Sequence, residues 1–228
     1  YRNVTVIIIL SVIFGFSKGL ILGRMLSIRD FGIYSLSLTI IGLIYPILLF
    51  GQQKGFIRFF VKNNILKYDW QRPIINILYI CFLISSTILP IISWYYNVGF
   101  LFFYFCLITI VSSLIIELLS NVVRSAGFYE VALLLQRSVR IIIALIALVF
   151  FLLDFSTLSN IFLVFGTIHL FYALFVYYFV IKKINIGSKI VPSRAYKDGL
   201  YFSAMDIISL ANTYGMNLII ASSLSIEY

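Results

Sequence analysis

Six stretches of this chain are each long and apolar enough to cross a bilayer, and a seventh begins before the sequence ends at Tyr228. A hydrocarbon core of about 30 Å asks for about 20 apolar residues per helix, and windows of that size recur along the whole sequence. Spans are expected at Val4 to Leu26, Phe31 to Phe50, Ile74 to Trp94, Phe100 to Ser120, Ser138 to Leu153 and Ile161 to Ile181, with a partial one from Tyr201 onward. Composition agrees: 62% of residues are hydrophobic and only 11% charged, against about 25% charged in soluble domains. The expected fold class is all-α, a polytopic membrane protein. Residues 1–181 would form a six-helix transmembrane bundle, 182–200 a basic linker, and 201–228 the incomplete first helix of a second bundle. A start at Tyr1 rather than Met and an end inside an apolar run mark the chain as an expected fragment.

The formal charge of +9 would raise the question of nucleic acid in a soluble protein. Here the cations sort by loop, and no nucleic-acid partner is expected. The second connection carries Lys54, Arg58, Lys62, Lys67 and Arg72, and the sixth carries Lys182, Lys183, Lys189, Arg194 and Lys197. The third connection, Tyr95 to Gly99, has no charge, and the fifth has only Asp154. Cytoplasmic loops are enriched in Lys and Arg, so the even-numbered loops and the N-terminus are expected in the cytoplasm. Arg124, Arg137 and Arg140, read as the fourth connection, agree. Arg24 and Arg29 of the first connection would lie on the outer side, offset only by Asp30, and need another reason. Tyr68 and Trp70 before the third span, and Trp94, Tyr95 and Tyr96 after it, read as aromatic anchors at the two interfaces.

Polar residues inside the spans narrow the function. Ser11, Gly15, Gly19 and Gly23 recur at intervals of four, a strip that lets helix backbones approach closely. Lys18 lies deep in the same span, and a cation there normally faces a bundle interior or a watery cavity. In the fourth span Thr109, Ser113, Glu117, Asn121 and Ser125 also recur every four residues, so one helix face is polar. A carboxylate at the centre of a membrane helix costs about 2.5–3.5 kcal/mol on insertion scales, and Glu117 therefore needs a partner or a polar cavity. The partial seventh span repeats the design with Ser203, Asp206, Ser209, Thr213 and Asn217. Such faces point either to bonds that tie helices together or to a hydrated pathway, with Glu117 and Asp206 as candidates for proton or cation coupling.

Cys81 and Cys106 both fall inside spans, where a small apolar role is expected. His169 stands alone, and no Cys, His and carboxylate cluster has the spacing of a metal site. Neither a G-x-S-x-G elbow nor a phosphate-binding glycine loop is present. No enzyme activity, metal or cofactor is therefore expected, and energy would come from an ion gradient or the membrane potential.

Shifted by 198 residues, Phe16 to Ile28 aligns with Tyr214 to Ile226, with identities at Leu20, Ile21, Leu26, Ser27 and Ile28. Parallel six-helix repeats are a known transporter plan. The segment Leu22-Gly23-Arg24-Met25-Leu26-Ser27-Ile28-Arg29-Asp30-Phe31-Gly32-Ile33-Tyr34 resembles the end of the first helix and the following turn in bacterial polysaccharide flippases. Gly51-Gln52-Gln53 with Arg58-Phe59-Phe60 is similar to that family's end of the second helix. Asn121 to Tyr129, with Arg124 and Gly127, looks like its turn after the fourth helix. The resemblance implies a member of the multidrug, oligosaccharidyl-lipid and polysaccharide exporter superfamily, with two six-helix lobes facing a central cavity. It implies an undecaprenyl-pyrophosphate-linked oligosaccharide as substrate, carried across the bacterial inner membrane by alternating access. Partners would be that lipid-linked oligosaccharide and membrane lipids, with a polysaccharide polymerase and a chain-length regulator. Arg24, Arg58 and Arg124 would bind the pyrophosphate by resemblance, and Lys18 joins them by its depth.

Two rival functions have their own signatures. An ion-coupled drug or metabolite exporter of the same superfamily would prefer intramembrane acids, whereas the first two spans hold more cations. A membrane-embedded polymerase or acyltransferase would carry a large outer loop, and the outer loops here are short.

Overall fold

Among the described residues the chain is all-helical, with no strand. The structure, a computed structural model, describes residues 2–49, 51–63, 65–155 and 157–192, together with Ala195, Lys197, Gly199 and Ile208. The helices are α1 (Arg2–Met25), α2 (Ile28–Leu48), α3 (Gln52–Asn63), α4 (Gln71–Tyr95), α5 (Phe100–Ser125), α6 (Tyr129–Leu152) and α7 (Leu158–Lys183). All but α3 are long and apolar enough to span a membrane, which makes this a multi-pass membrane protein. Apart from Ile208, the expected seventh span lies outside the described residues, as do Arg194 and the repeat partner of Phe16 to Ile28.

Local chemistry sets the helix ends. Ser27 caps α2: its Oγ accepts from the Asp30 N–H at 3.1 Å and donates to Asp30 Oδ2 at 2.9 Å, while the Asp30 charge complements the helix dipole. Thr157 caps α7 by accepting from Asn160 N–H at 3.4 Å. Besides Gly51 (φ 63°) ahead of α3, three turns among the described residues close with a residue in the left-handed region, at Asn97 (φ 50°), Gly127 (φ 94°) and Asp154 (φ 56°). Behind each, the next amide reaches back to an orphan carbonyl near the helix end, Val98 to Ser93, Phe128 to Val123 and Phe155 to Phe150. That is the Schellman arrangement, and Gly, Asn and Asp tolerate it best. Pro73 falls in the first turn of α4, where no intrahelical donor is lost. Pro46 and Pro90 sit inside α2 and α4.

Two boundaries differ most from expectation. α6 starts at Tyr129 rather than Ser138, so Arg137 and Arg140 belong to a helix and not to a loop. Arg124 is likewise in the last turn of α5. The polar run Gln136-Arg137-Ser138 hid the helix because hydropathy falls there. The second connection also holds a helix, α3, whose short length and charge mask it in a hydropathy reading.

α5 is the central pillar, packed against α2, α3, α4, α6 and α7, while α1 packs chiefly on α6. In lipid no water-driven force holds helices together, and close packing has to do so. Phe105 of α5 stacks on Phe162 of α7 with centroids 4.8 Å apart, and Tyr34 of α2 leans on both. Gly166 makes this approach possible, since a Cβ there would lie 3.2 Å from the Tyr104 ring. The Ser11 to Gly23 strip behaves differently. Ser11 is buried, yet a Cβ at Gly15 or Gly19 would meet nothing within 4 Å among the described residues.

At the edge shared by the end of α7 and the start of α4, the chain after α7 is stitched to the segment before α4. Tyr68 and Lys189 form a parallel bridge, with Asp69 N–H donating to Lys189 C=O at 2.8 Å and Gly187 N–H to Tyr68 C=O at 2.9 Å. A side chain at Gly187 would collide with the Lys67 and Tyr68 backbone. Trp70 is fully buried beneath this seam and donates Nε1–H to Asn185 C=O at 3.2 Å. Trp70 is thus a buried clasp rather than an interface anchor, whereas Trp94 is 83% exposed.

Candidate functional site

Among the described residues, the candidate site residues inside the spans fall into two polar clusters in different parts of the bundle. The first grows from the polar stripe of α5. Thr109, Ser112, Glu117, Ser120 and Asn121 are all buried, so this face is turned into the packed bundle. Gln136 of α6 donates its side-chain Nε2–H to Glu117 Oε2, and Asn121 Nδ2–H donates to Oε1 across one helical turn at a long 3.5 Å. Arg124 Nη2–H donates to Gln136 Oε1 at 3.4 Å. Arginine has no acceptor, so it draws the Gln136 carbonyl and leaves the amide nitrogen for Glu117. The result is a relay, Arg124 to Gln136 to Glu117, that ties α5 to α6 and links a cation at the bundle edge to a carboxyl group inside it.

Several groups around the relay have no hydrogen-bond partner among the described residues: the Thr109, Ser112, Ser120 and Ser125 hydroxyls, Asn121 Oδ1 and Arg137 Nε. A small crevice reaches Asn121 between α3, α4 and α5, with Gln53, Phe56 and Ile74 in its walls. Buried polar groups of this kind are the usual partners of ordered water.

The second cluster centres on Lys18. Its ammonium lies 5.6 Å from the Tyr34 ring centroid, within cation–π range, and it interacts electrostatically with His169 of α7. Among the described residues no carboxylate pairs with it. His169 Nδ1 lies 3.0 Å from the Phe165 carbonyl, the bond of a satisfied interior imidazole. Lys18 is half-buried on the inward side of α1, next to buried Leu22. Arg24, six residues on, is exposed; at 100° per residue the two point about 120° apart.

The residues singled out in the sequence therefore divide. Arg124 and Glu117 are brought together through Gln136. Lys18 stands with Tyr34 and His169. Arg24 is exposed at the end of α1 and Arg58 is exposed on α3. Asp206 lies outside the described residues. Sequence reasoning missed Gln136 because it was read as loop; extending the helical period of α6 back to Tyr129 would have placed it among the helical residues. Tyr34 was seen only as part of a turn motif.

Comparison with known proteins finds no family model, no curated protein and no solved structure that matches this chain.

Proposed function

We propose that this protein is a flippase for undecaprenyl-pyrophosphate-linked oligosaccharide repeat units, set in the bacterial inner membrane with its N-terminus in the cytoplasm, and that it is not an enzyme. The observation that carries this reading is Lys18, a cation within a membrane span that no described carboxylate neutralises. A pyrophosphate concentrates negative charge, and an ammonium in a low-dielectric setting holds it far more strongly than in water. The aromatic face of Tyr34 keeps the charge in place without cancelling it. The resemblance at Leu22 to Tyr34 supports the same reading, since it contains Arg24 beyond Lys18 on the same helix.

In this account Lys18 and Arg24 of α1 bind the diphosphate in turn, the deeper site facing inward and the other lying at the helix end. Arg124 adds positive potential at the opposite edge. The Arg124–Gln136–Glu117 relay holds α5 and α6 as one rigid piece, and Glu117 is the coupling acid if an ion drives transport. Asp206 would supply a second acid.

The lipid-linked sugar pool in cells lacking the gene tests this function. Complete single repeat units stranded on the cytoplasmic side support flipping. Unpolymerised units on the outer side would point instead to a polymerase, and an unchanged pool to a drug or metabolite exporter.

A further inference from the structure

We infer that α3 is a lipid-binding helix, lying in the interface of the membrane and gripping anionic phospholipid headgroups with Lys54, Arg58 and Lys62. These three residues recur every four positions and are all exposed, so they form one stripe along a helix of 12 residues. The opposite side, with Gln52, Phe56 and Phe60, is buried against the bundle. Gly55 is covered as well: a Cβ there would come within 2.7 Å of the Ala195 carbonyl oxygen, where the chain returns after α7.

The depth of α3 follows from what it touches. Phe56 and Phe60 share the walls of one crevice with Ile74, a turn inside the start of α4, and with Leu118 and Val122, which lie one to two turns inside the end of α5. The 26 residues of α5 span about 39 Å at 1.5 Å per residue, against a core of about 30 Å. Its last turns therefore reach the headgroup layer, and α3 lies at that level rather than projecting into water. One flank of the stripe is apolar: Val61 is 56% exposed, Ile57 is half-exposed on the same side, and Leu66 just beyond the helix is 50% exposed. Cations beside exposed aliphatic groups are the pattern of a helix lying in the interface plane, with its apolar flank at the acyl boundary.

Charge complementarity selects the occupant. Phosphate diesters of an anionic leaflet attract basic residues held at the surface, by roughly fivefold in affinity for each Lys or Arg. Exposed Lys67 and Arg72 extend the same basic edge. Arg58 then acts on the surrounding bilayer rather than on a transported molecule.

The test uses the chain reconstituted in nanodiscs, with an environment-sensitive fluorophore on Val61→Cys; the native Cys81 and Cys106 are buried. In phosphatidylglycerol discs the label should report an apolar setting and be quenched by lipid-borne quenchers, and high salt or phosphatidylcholine discs should weaken both effects. The triple variant Lys54→Gln, Arg58→Gln, Lys62→Gln should retain phosphatidylglycerol on purification at least tenfold less well, as read by native mass spectrometry. These side chains are exposed, so helical content should not change. A label in bulk water in both kinds of disc, or equal lipid retention by variant and wild type, would overturn the inference. So would a label indifferent to phosphatidylglycerol but shielded by undecaprenyl pyrophosphate, which would return the stripe to substrate binding.

Discussion

Gln136 of α6 donates its side-chain N–H to Glu117 of α5, and Arg124 fixes the direction of that bond by claiming the Gln136 carbonyl. A buried carboxyl group is thereby held with no direct cationic partner among the described residues. Neither α5 nor α6 shows this from its own residues, because the bond joins positions 19 apart on opposite sides of a turn.

Gln136→Leu should destabilise the bundle by about 1–3 kcal/mol, the cost of leaving a buried polar group short of a donor. Glu117→Gln should cost less, and the double variant should fall short of the sum because the two share one bond. Thermal unfolding of the four proteins in one detergent measures the coupling; strict additivity would mean that the bond is absent.

The spans were legible because crossing a bilayer requires only length and apolarity. What the sequence hid depends on packing or on short-range chemistry. α3 is short and charged, so it read as a loop; Gln136 and Arg137 lowered the hydropathy of α6 and concealed its first turns. The depth of Lys18 was plain in the sequence, but its neighbours come from α2 and α7 and are joined to it only by the fold. Trp70 looked like an interface ring because it stands just before a span, yet the chain after α7 folds over it.

Glycines separate by what surrounds them. Gly166→Ala should loosen the α5–α7 contact, because its new methyl would crowd Tyr104, whereas Gly19→Ala meets open space and should stay within about 0.5 kcal/mol. Unfolding midpoints of the two variants check the contrast. A large loss from Gly19→Ala would contradict this and show that the face is closely packed.

Gly187→Ala should break the seam between the chain after α7 and the segment before α4. The expected cost is about 1–3 kcal/mol, because backbone must move to admit the methyl group. Amide exchange at Asp69 and Lys189, whose N–H groups make the seam, should speed up while exchange in the middle of α5 stays slow. Unchanged exchange at both amides would contradict the arrangement.

The two tryptophans give an independent check of the edges. Trp94→Phe should remove the emission that interface-seeking quenchers reach, and Trp70→Phe should remove the protected emission, since Trp70 is fully buried. Equal quenching of both residues would mean that the seam does not cover Trp70.

Charge at Lys18 should matter more than shape. Lys18→Arg should keep a substantial part of export and Lys18→Met should abolish it, with protein level intact in both; Arg24→Ala should impair export more mildly. Surface polysaccharide in cells carrying each variant reports the order, and normal export with Lys18→Met would remove this residue from the site.

Translocation itself is the most direct test. The protein is reconstituted in vesicles with a fluorescent undecaprenyl-pyrophosphate oligosaccharide, and a membrane-impermeant reductant is added outside. The account predicts that wild-type protein exposes the inner-leaflet pool to the reductant and that Lys18→Met leaves it protected. Protection equal to that of protein-free vesicles with the wild type, under every imposed ion gradient, would contradict the flippase reading.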